Sequence, residues 1–127
     1  MLHKNILLID DDDDDAELFC EAILVVGENV DCLTETNPIK ALENLKNGEY
    51  LPDLIFLDYN MPVLNGNEFL KKMKEVQQLR KIPVILYSSY SESAAEHLCI
   101  TQDADRYITK PNNFEQLTAV LKDILVA

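Results

Sequence analysis

Cysteine is scarce in this sequence, and Cys20, Cys32 and Cys99 are widely scattered. No Cys-x-x-Cys pair occurs, which argues against both a disulfide framework and a structural zinc site. We therefore expect the three cysteines to be small, half-buried residues with free thiols in a reducing compartment.

Basic residues are also few. The sequence has 11 lysines and arginines against 23 aspartates and glutamates, which gives a formal net charge of −12. A surface this acidic repels nucleic acids and anionic membranes, so neither is expected as a direct partner. It is compatible with a basic patch on another protein or with a divalent cation.

Long hydrophobic runs are absent. None approaches the roughly 18 residues of a membrane-spanning helix, and the apolar run at residues 6–9 is too short for a signal peptide. No Gly/Pro-rich hinge or low-complexity stretch divides the 127 residues. We therefore predict one cytoplasmic domain over residues 1–127, with no room for an output domain after the last helix.

The sequence does contain a regular alternation of apolar runs and helical stripes. Residues 6–9, 54–57 and 84–87 are typical of strands buried on both faces, and residues 32–34 and 107–109 of two further strands. A helical stripe follows each strand, although the one at 91–101 is weaker. The stripe of the last helix consists of Phe114, Leu117, Val120, Leu121 and Ile124. Five such units predict a doubly wound α/β fold with helices on both faces of a parallel sheet.

Six consecutive aspartates, Asp10 to Asp15, follow the first strand. The last four of them can extend a metal site, but we expect them to cap the first helix and to favour its positive end. Asp10, Asp12, Asp14 and Glu21 also match the spacing of a calcium-binding loop. Asp15 stands where that loop needs glycine, so we do not expect a calcium loop here.

Polar residues end four of the predicted strands. Asp10 and Asp11 end the first, Asp58 the third, Ser88 the fourth and Lys110 the fifth. Because the carboxyl ends of parallel strands form the ligand-binding edge of such a sheet, these side chains are expected to converge. Mg²⁺ prefers hard oxygen ligands and relieves the repulsion among the three acids. With Mg²⁺ bound, Asp58 can act as a nucleophile toward phosphorus, while Ser88 and Lys110 hold the phosphoryl oxygens.

Five features in this order resemble the receiver domain of two-component response regulators, over nearly the whole chain. They are Ile9-Asp10-Asp11, Asp58 before Asn60-Met61-Pro62, Asn65-Gly66, Ser88, and Lys110-Pro111. The resemblance, to the stand-alone chemotaxis-regulator type, implies a flavodoxin-like fold with the strand order 2-1-3-4-5. It also implies that the Lys110–Pro111 peptide bond is cis.

The resemblance further implies a role for each site residue. Asp58 would accept a phosphoryl group from a phosphohistidine of a sensor histidine kinase or histidine phosphotransfer protein. Asp10, acting through water, Asp11, Asp58 and the backbone carbonyl of Asn60 would hold Mg²⁺. Ser88 and Lys110 would bind the phosphoryl group.

A switch between two surfaces is implied as well. When Ser88 moves toward the phosphate, Tyr107 turns inward and changes the face formed by residues 91–101, the fifth strand and the last helix. A downstream protein target would read that face, and the oligomeric state is left open. Asn60 and Tyr90 flank the path of the hydrolytic water, and we expect the bulk of Tyr90 to slow self-dephosphorylation.

Two departures from the family pattern stand out. Ser88 replaces the commoner threonine, which keeps the hydroxyl but is expected to loosen the coupling to Tyr107. Asp103-Ala104-Asp105 replaces a Gly-Ala-small turn, so we expect a reshaped loop because aspartate adopts left-handed geometry less readily than glycine.

Two alternative functions compete with phosphoryl acceptance. One is a receiver-fold scaffold that is no longer phosphorylated, against which the intact set of site residues argues. The other is a phosphatase of the haloacid-dehalogenase type, which would need a second aspartate at the position of Asn60 and a cap domain. We therefore expect no enzyme acting on outside substrates, only a protein that takes part in its own phosphoryl transfer and hydrolysis.

Overall fold

Five strands form one parallel sheet. The computed structural model describes residues 5–27, 29–59, 61, 63–88 and 104–125, with only the backbone of Ser88. The strands are β1 (Asn5–Ile9), β2 (Asp31–Glu35), β3 (Leu54–Leu57), β4 (Val84–Ser88) and β5 (Arg106–Thr109). Every neighbouring pair is parallel, and the order is β2-β1-β3-β4-β5. The predicted fold class and strand order are therefore confirmed.

Four α-helices connect or follow these strands in the described part of the chain. They are α1 (Asp13–Val26), α2 (Pro38–Lys46), α3 (Gly66–Lys74) and α4 (Phe114–Leu125). Their first backbone amides are capped by the side chains of Asp12, Asn37, Asn65 and Asn113. These polar side chains accept hydrogen bonds that the first turn of a helix cannot make internally. The predicted helix at 91–101 lies outside the described residues.

The core has two halves, one on each face of the sheet, because successive strand residues point to opposite faces. Leu7, Ile9, Ile55 and Leu57 pack with α2 and α3. Ile6, Leu8 and Phe56 pack with α1 and α4 on the other face. This double burial explains why β1 and β3 read as continuous apolar runs. No helix in the described part of the chain is long and apolar enough to cross a membrane.

Two details of the segment after β5 differ from expectation. Phe114 was predicted to face the core, but it is 38% exposed. As the first residue of α4, it lines a cleft with Lys110 and Pro111 at the sheet edge. The Lys110–Pro111 peptide is trans, since no cis bond occurs among the described residues. For X–Pro bonds the trans form is favoured by about 0.5–1 kcal/mol.

Two sequence expectations about ligand chemistry hold in the described residues. Asp13–Val26 is helical, so the spacing of Asp10, Asp12, Asp14 and Glu21 does not form a calcium loop. Cys20 and Cys32 are half-buried free thiols whose Sγ atoms lie 3.4 Å apart, whereas Cys99 lies outside the described residues. Burial and the neighbouring Cys20 raise the pKa of Cys32, so its thiol stays protonated at neutral pH.

Candidate functional site

Asp10 and Asp58 lie side by side where β1 and β3 end. The amide of Asp58 donates to the carbonyl oxygen of Ile9 at 2.9 Å, and the amide of Asp10 donates to that of Glu35 at 3.2 Å. These bonds extend the sheet by one residue and fix both backbones at its carboxyl edge. Asp10 is fully buried and Asp58 is 4% exposed. They are the two buried charged residues of the described chain.

Asp10, Asp11 and Asp58, here called the acid pocket, have a geometry that fits a metal ion. One carboxylate oxygen of each lies within 4.8 Å of those of the other two. Oδ1 of Asp10 accepts a 3.0 Å hydrogen bond from the amide of Asp12. Oδ2 of Asp10 is buried and has a charged neighbour, the Lys110 ammonium at 2.9 Å. Because three carboxylates carry more negative charge than one ammonium balances, the pocket suits a hard cation such as Mg²⁺.

Lys110 follows β5 and reaches across the same edge. Its Nζ atom lies 2.9 Å from Oδ2 of Asp10, 3.6 Å from Oδ2 of Asp58 and 2.8 Å from Oδ2 of Asp15. Burial acts to lower the pKa of Lys110, but the hydrogen bond to Asp15 and the charges of Asp10 and Asp58 raise it above its ordinary value. The ammonium is therefore a permanent positive charge at the mouth of the acid pocket.

Four of the predicted site residues are brought together: Asp10, Asp11, Asp58 and Lys110. Ser88 ends β4 and pairs in register with Thr109, but its side chain lies outside the described atoms. Asn60 and Tyr90 also lie outside the described residues. Their predicted roles therefore stay predictions.

Tyr107 has the position expected of a switch residue but also a polar partner. Its half-buried side chain packs against the α2 and α3 half of the core. Its hydroxyl and Oγ1 of Thr109 share a 2.6 Å hydrogen bond. An inward turn of the ring would therefore have to break this bond.

Two residues of this edge were missed in the sequence. Asp15 was assigned to helix capping, whereas its carboxylate accepts a hydrogen bond from Lys110. Tyr87 was assigned only to a strand, and Nζ of Lys110 lies 5.5 Å from the centroid of its ring. A signal for Asp15 exists: it lies in the first turn of the helix that begins directly after Asp10 and Asp11, at the same end of the sheet. Tyr87 carries no comparable signal, because an aromatic residue in a buried strand is ordinary.

Comparison with known proteins agrees with this geometry. The family model described as the response regulator receiver domain matches residues 6–122. The sensor histidine kinase CheAY of Helicobacter pylori is 31% identical over 92% of this chain, which spans only 14% of that protein. The polar-differentiation response regulator DivK of Brucella anthropi is 26% identical, with 96% of each chain covered.

Solved structures give the same picture. The phosphorylated cyanobacterial phytochrome response regulator RcpA superimposes with a TM-score of 0.85 at 30% identity, covering 96% of this chain and 91% of its own. The Mn²⁺-bound form of response regulator Rcp1 gives a TM-score of 0.83 at 25% identity, covering 95% and 91%. One of these similar proteins is thus phosphorylated and another holds a divalent metal.

Proposed function

This chain belongs to the response regulator receiver domain family, and from that premise we propose that it accepts a phosphoryl group on Asp58 with Mg²⁺ in the acid pocket. The observation that carries the proposal is the juxtaposition at the carboxyl edge of the sheet. Asp58 is buried within reach of two further carboxylates, and the Lys110 ammonium lies 3.6 Å from its Oδ2 atom. A nucleophilic oxygen, metal ligands and a phosphate-binding cation therefore share one site.

The chemistry follows from these positions. An oxygen of Asp58 attacks the phosphorus of a phosphohistidine, the P–N bond breaks, and the imidazole leaves with the electron pair and takes up a proton. When bound, Mg²⁺ supplies positive charge to the phosphoryl oxygens. Lys110 contributes a second positive charge from the carboxyl end of β5, at the same edge of the sheet. The backbone carbonyl of Asn60 and the hydroxyl of Ser88 complete the proposed metal and phosphoryl ligands.

Receiver domains typically interact with histidine kinases. We propose a sensor histidine kinase or a histidine phosphotransfer protein as the donor, and the cytoplasm as the location. The protein turns over no outside substrate; it catalyses only its own phosphorylation and hydrolysis. Asn60 and Tyr90 modulate the hydrolysis.

The output is a change in a protein-binding face. The phosphoryl group adds about −1.5 to −2 charges beside Ser88 and Lys110. Ser88 moves toward it, and Tyr107 leaves Thr109 and turns toward the core. A downstream protein target reads the altered surface around β5 and α4.

The decisive experiment is intact-mass analysis after incubation with acetyl phosphate and Mg²⁺. The wild type should gain one phosphoryl group, and EDTA should abolish the gain. Asp58→Asn removes the nucleophile with little change in shape and should gain none. Asp53→Asn is a matched control that makes the same charge change. Asp53 directly precedes β3, at the end of the strand far from the acid pocket, and accepts a hydrogen bond from the amide of Asn5.

Each remaining outcome points to one alternative. A folded wild type that gains nothing and binds no Mg²⁺ is a receiver-fold scaffold. Continuous release of phosphate from a small phosphomonoester, lost in Asp58→Asn, would instead identify a phosphatase.

A further inference from the structure

Lys110 contacts three carboxylates, and one of them lies outside the acid pocket. Asp10 and Asp58 belong to the acid pocket, whereas Asp15 belongs to the first turn of α1. The bond from Lys110 to Asp15 is the shortest of the three contacts, at 2.8 Å. Its donor and acceptor are also aligned as in a hydrogen bond.

The helix does not need the side chain of Asp15 as a cap. Oδ1 of Asp12 already accepts hydrogen bonds from the amides of Asp14 and Asp15, at 2.9 and 3.1 Å. Asp14, one residue earlier, is exposed and carries the same charge in the same turn. The contact with Lys110 therefore distinguishes Asp15 from its neighbours.

A cation in the acid pocket changes these three contacts unequally. Mg²⁺ would take up carboxylate oxygens of Asp10 and Asp58 and would repel the ammonium of Lys110. Asp15 keeps its carboxylate for Lys110, because it is not among the candidate metal ligands. Without this partner the long, flexible lysine side chain would gain entropy and hydration by swinging into solvent.

We propose that Asp15 is a positioning residue that retains the Lys110 ammonium beside Asp58 when a divalent cation occupies the acid pocket. Asp15 acts through Lys110 and does not itself touch the phosphoryl group. The inference rests on the proposed function, since it is the phosphoryl oxygens on Asp58 that Lys110 is held to meet.

The first test measures the position of Lys110 without any phosphoryl chemistry. Lys110 is labelled with an amine-reactive ester with and without Mg²⁺. Peptide mass spectrometry gives the labelling rate of Lys110, which is divided by the labelling rate of the exposed Lys40. In Asp15→Asn with Mg²⁺, we expect Lys110 to be labelled roughly three- to tenfold faster than in the wild type. This factor corresponds to the loss of one partly exposed charge-assisted hydrogen bond. Asp14→Asn makes the same charge change and should label like the wild type.

The second test separates binding of the metal from binding of the phosphoryl group. Titration calorimetry with Mg²⁺ alone should give Asp15→Asn an affinity no lower than that of Asp14→Asn. Beryllofluoride, which mimics a phosphoryl group on a carboxylate, should bind Asp15→Asn roughly three- to tenfold more weakly at saturating Mg²⁺. Damage to the fold would lower both affinities. Asp15→Glu should restore part of the beryllofluoride affinity.

The outcomes distinguish this inference from the proposed function. If Asp15→Asn and Asp14→Asn label alike with Mg²⁺ and bind beryllofluoride alike, Asp15 is only a surface residue and the inference is wrong. If the wild type takes up neither phosphoryl groups nor beryllofluoride, the proposed function fails. The labelling comparison then still decides whether Asp15 retains Lys110 beside a bound cation.

Discussion

The amide of Gly66 donates a 2.8 Å hydrogen bond to the carbonyl oxygen of Tyr59, the residue that follows Asp58. This bond brings the start of α3 against the end of β3. A Cβ atom on Gly66 would lie 2.8 Å from Cα of Tyr59 and 3.0 Å from the carbonyl oxygen of Asp58. Both are backbone atoms, so they cannot yield as a side chain can. The glycine therefore allows the backbone of the acid pocket to close against α3.

Gly66→Ala should consequently displace the backbone of Asp58 and Tyr59. We expect a loss of unfolding free energy of about 1–3 kcal/mol, the usual cost of overpacking, together with slower phosphorylation by acetyl phosphate. Urea unfolding and intact-mass kinetics measure the two effects. Gly27→Ala is the control, since its Cβ would meet the side-chain methyl of Val30 at 3.0 Å, which can rotate. Equal effects of the two variants would refute this role of Gly66.

Asp105 holds the start of β4 by two hydrogen bonds to one residue. Its Oδ2 atom accepts a 2.8 Å hydrogen bond from the amide of Val84. Its own amide donates a 2.9 Å hydrogen bond to the carbonyl oxygen of Val84. Val84 is fully buried, so water cannot accept the hydrogen bond of its amide if the carboxylate is removed. Asp105→Ala should therefore cost about 1–2 kcal/mol of unfolding free energy. Asp105→Asn keeps the acceptor oxygen and should cost less; denaturant titration of both variants checks this.

The sequence predicted the parts of this molecule that depend on local pattern. The apolar runs ending in Asp10 and Asp58 identified β1 and β3 and the shared edge, because a strand buried on both faces leaves a charge only at its end. The aspartates after Asp11 were likewise expected to cap the first helix, and Asp12 does so. Strand order could not be derived from the residues, and came from the family resemblance.

Contacts between residues distant in the chain were not predictable in this way. Asp15 and Lys110 are separated by 95 positions, and only the packing of α1 against α4, the helix that follows Lys110, brings them together. Asp103-Ala104-Asp105 was expected to form a reshaped loop, and Asp103 lies outside the described residues. The carboxylate of Asp105 accepts a hydrogen bond from Val84 on the neighbouring strand, a contact that the sequence did not predict. Phe114 obeyed the helical spacing but extends past the sheet edge, where the core no longer covers it.

Val63 has a backbone conformation that its side chain disfavours. Its φ angle is +71°, in the left-handed region, and its side chain is 82% exposed. This conformation costs a β-branched residue about 1–2 kcal/mol, and the exposed side chain makes few packing contacts that could offset the cost. Val63→Gly should raise the unfolding free energy by about 1 kcal/mol. The value is below the full cost of the strained conformation because glycine also increases the entropy of the unfolded chain. Val63→Ala, which keeps a Cβ atom, should recover less; a thermal-unfolding series compares them.

Tyr87 makes the stability of the fold sensitive to alkaline pH. Tyr87 is 4% exposed, and its ring packs edge-on against Phe19 and Phe56. Burial raises the pKa of Tyr87 to about 12, despite the opposing effect of the Lys110 charge. The folded protein therefore holds the phenolic proton more tightly than the unfolded chain, whose tyrosine titrates near 10. The resulting stabilisation is complete below pH 10 and is lost as the pH rises toward 12.

Tyr87→Phe should remove this part of the pH dependence while keeping the ring contacts. We expect the two proteins to differ little at pH 8, and the unfolding free energy of the wild type to fall faster between pH 10 and 12, by about 2 kcal/mol in total. Lys110, whose pKa is also raised, loses its contribution in the same direction, so the variant should keep a residual slope. Urea titrations in EDTA at several pH values measure both curves. Parallel curves would mean that the phenol of Tyr87 does not titrate with folding.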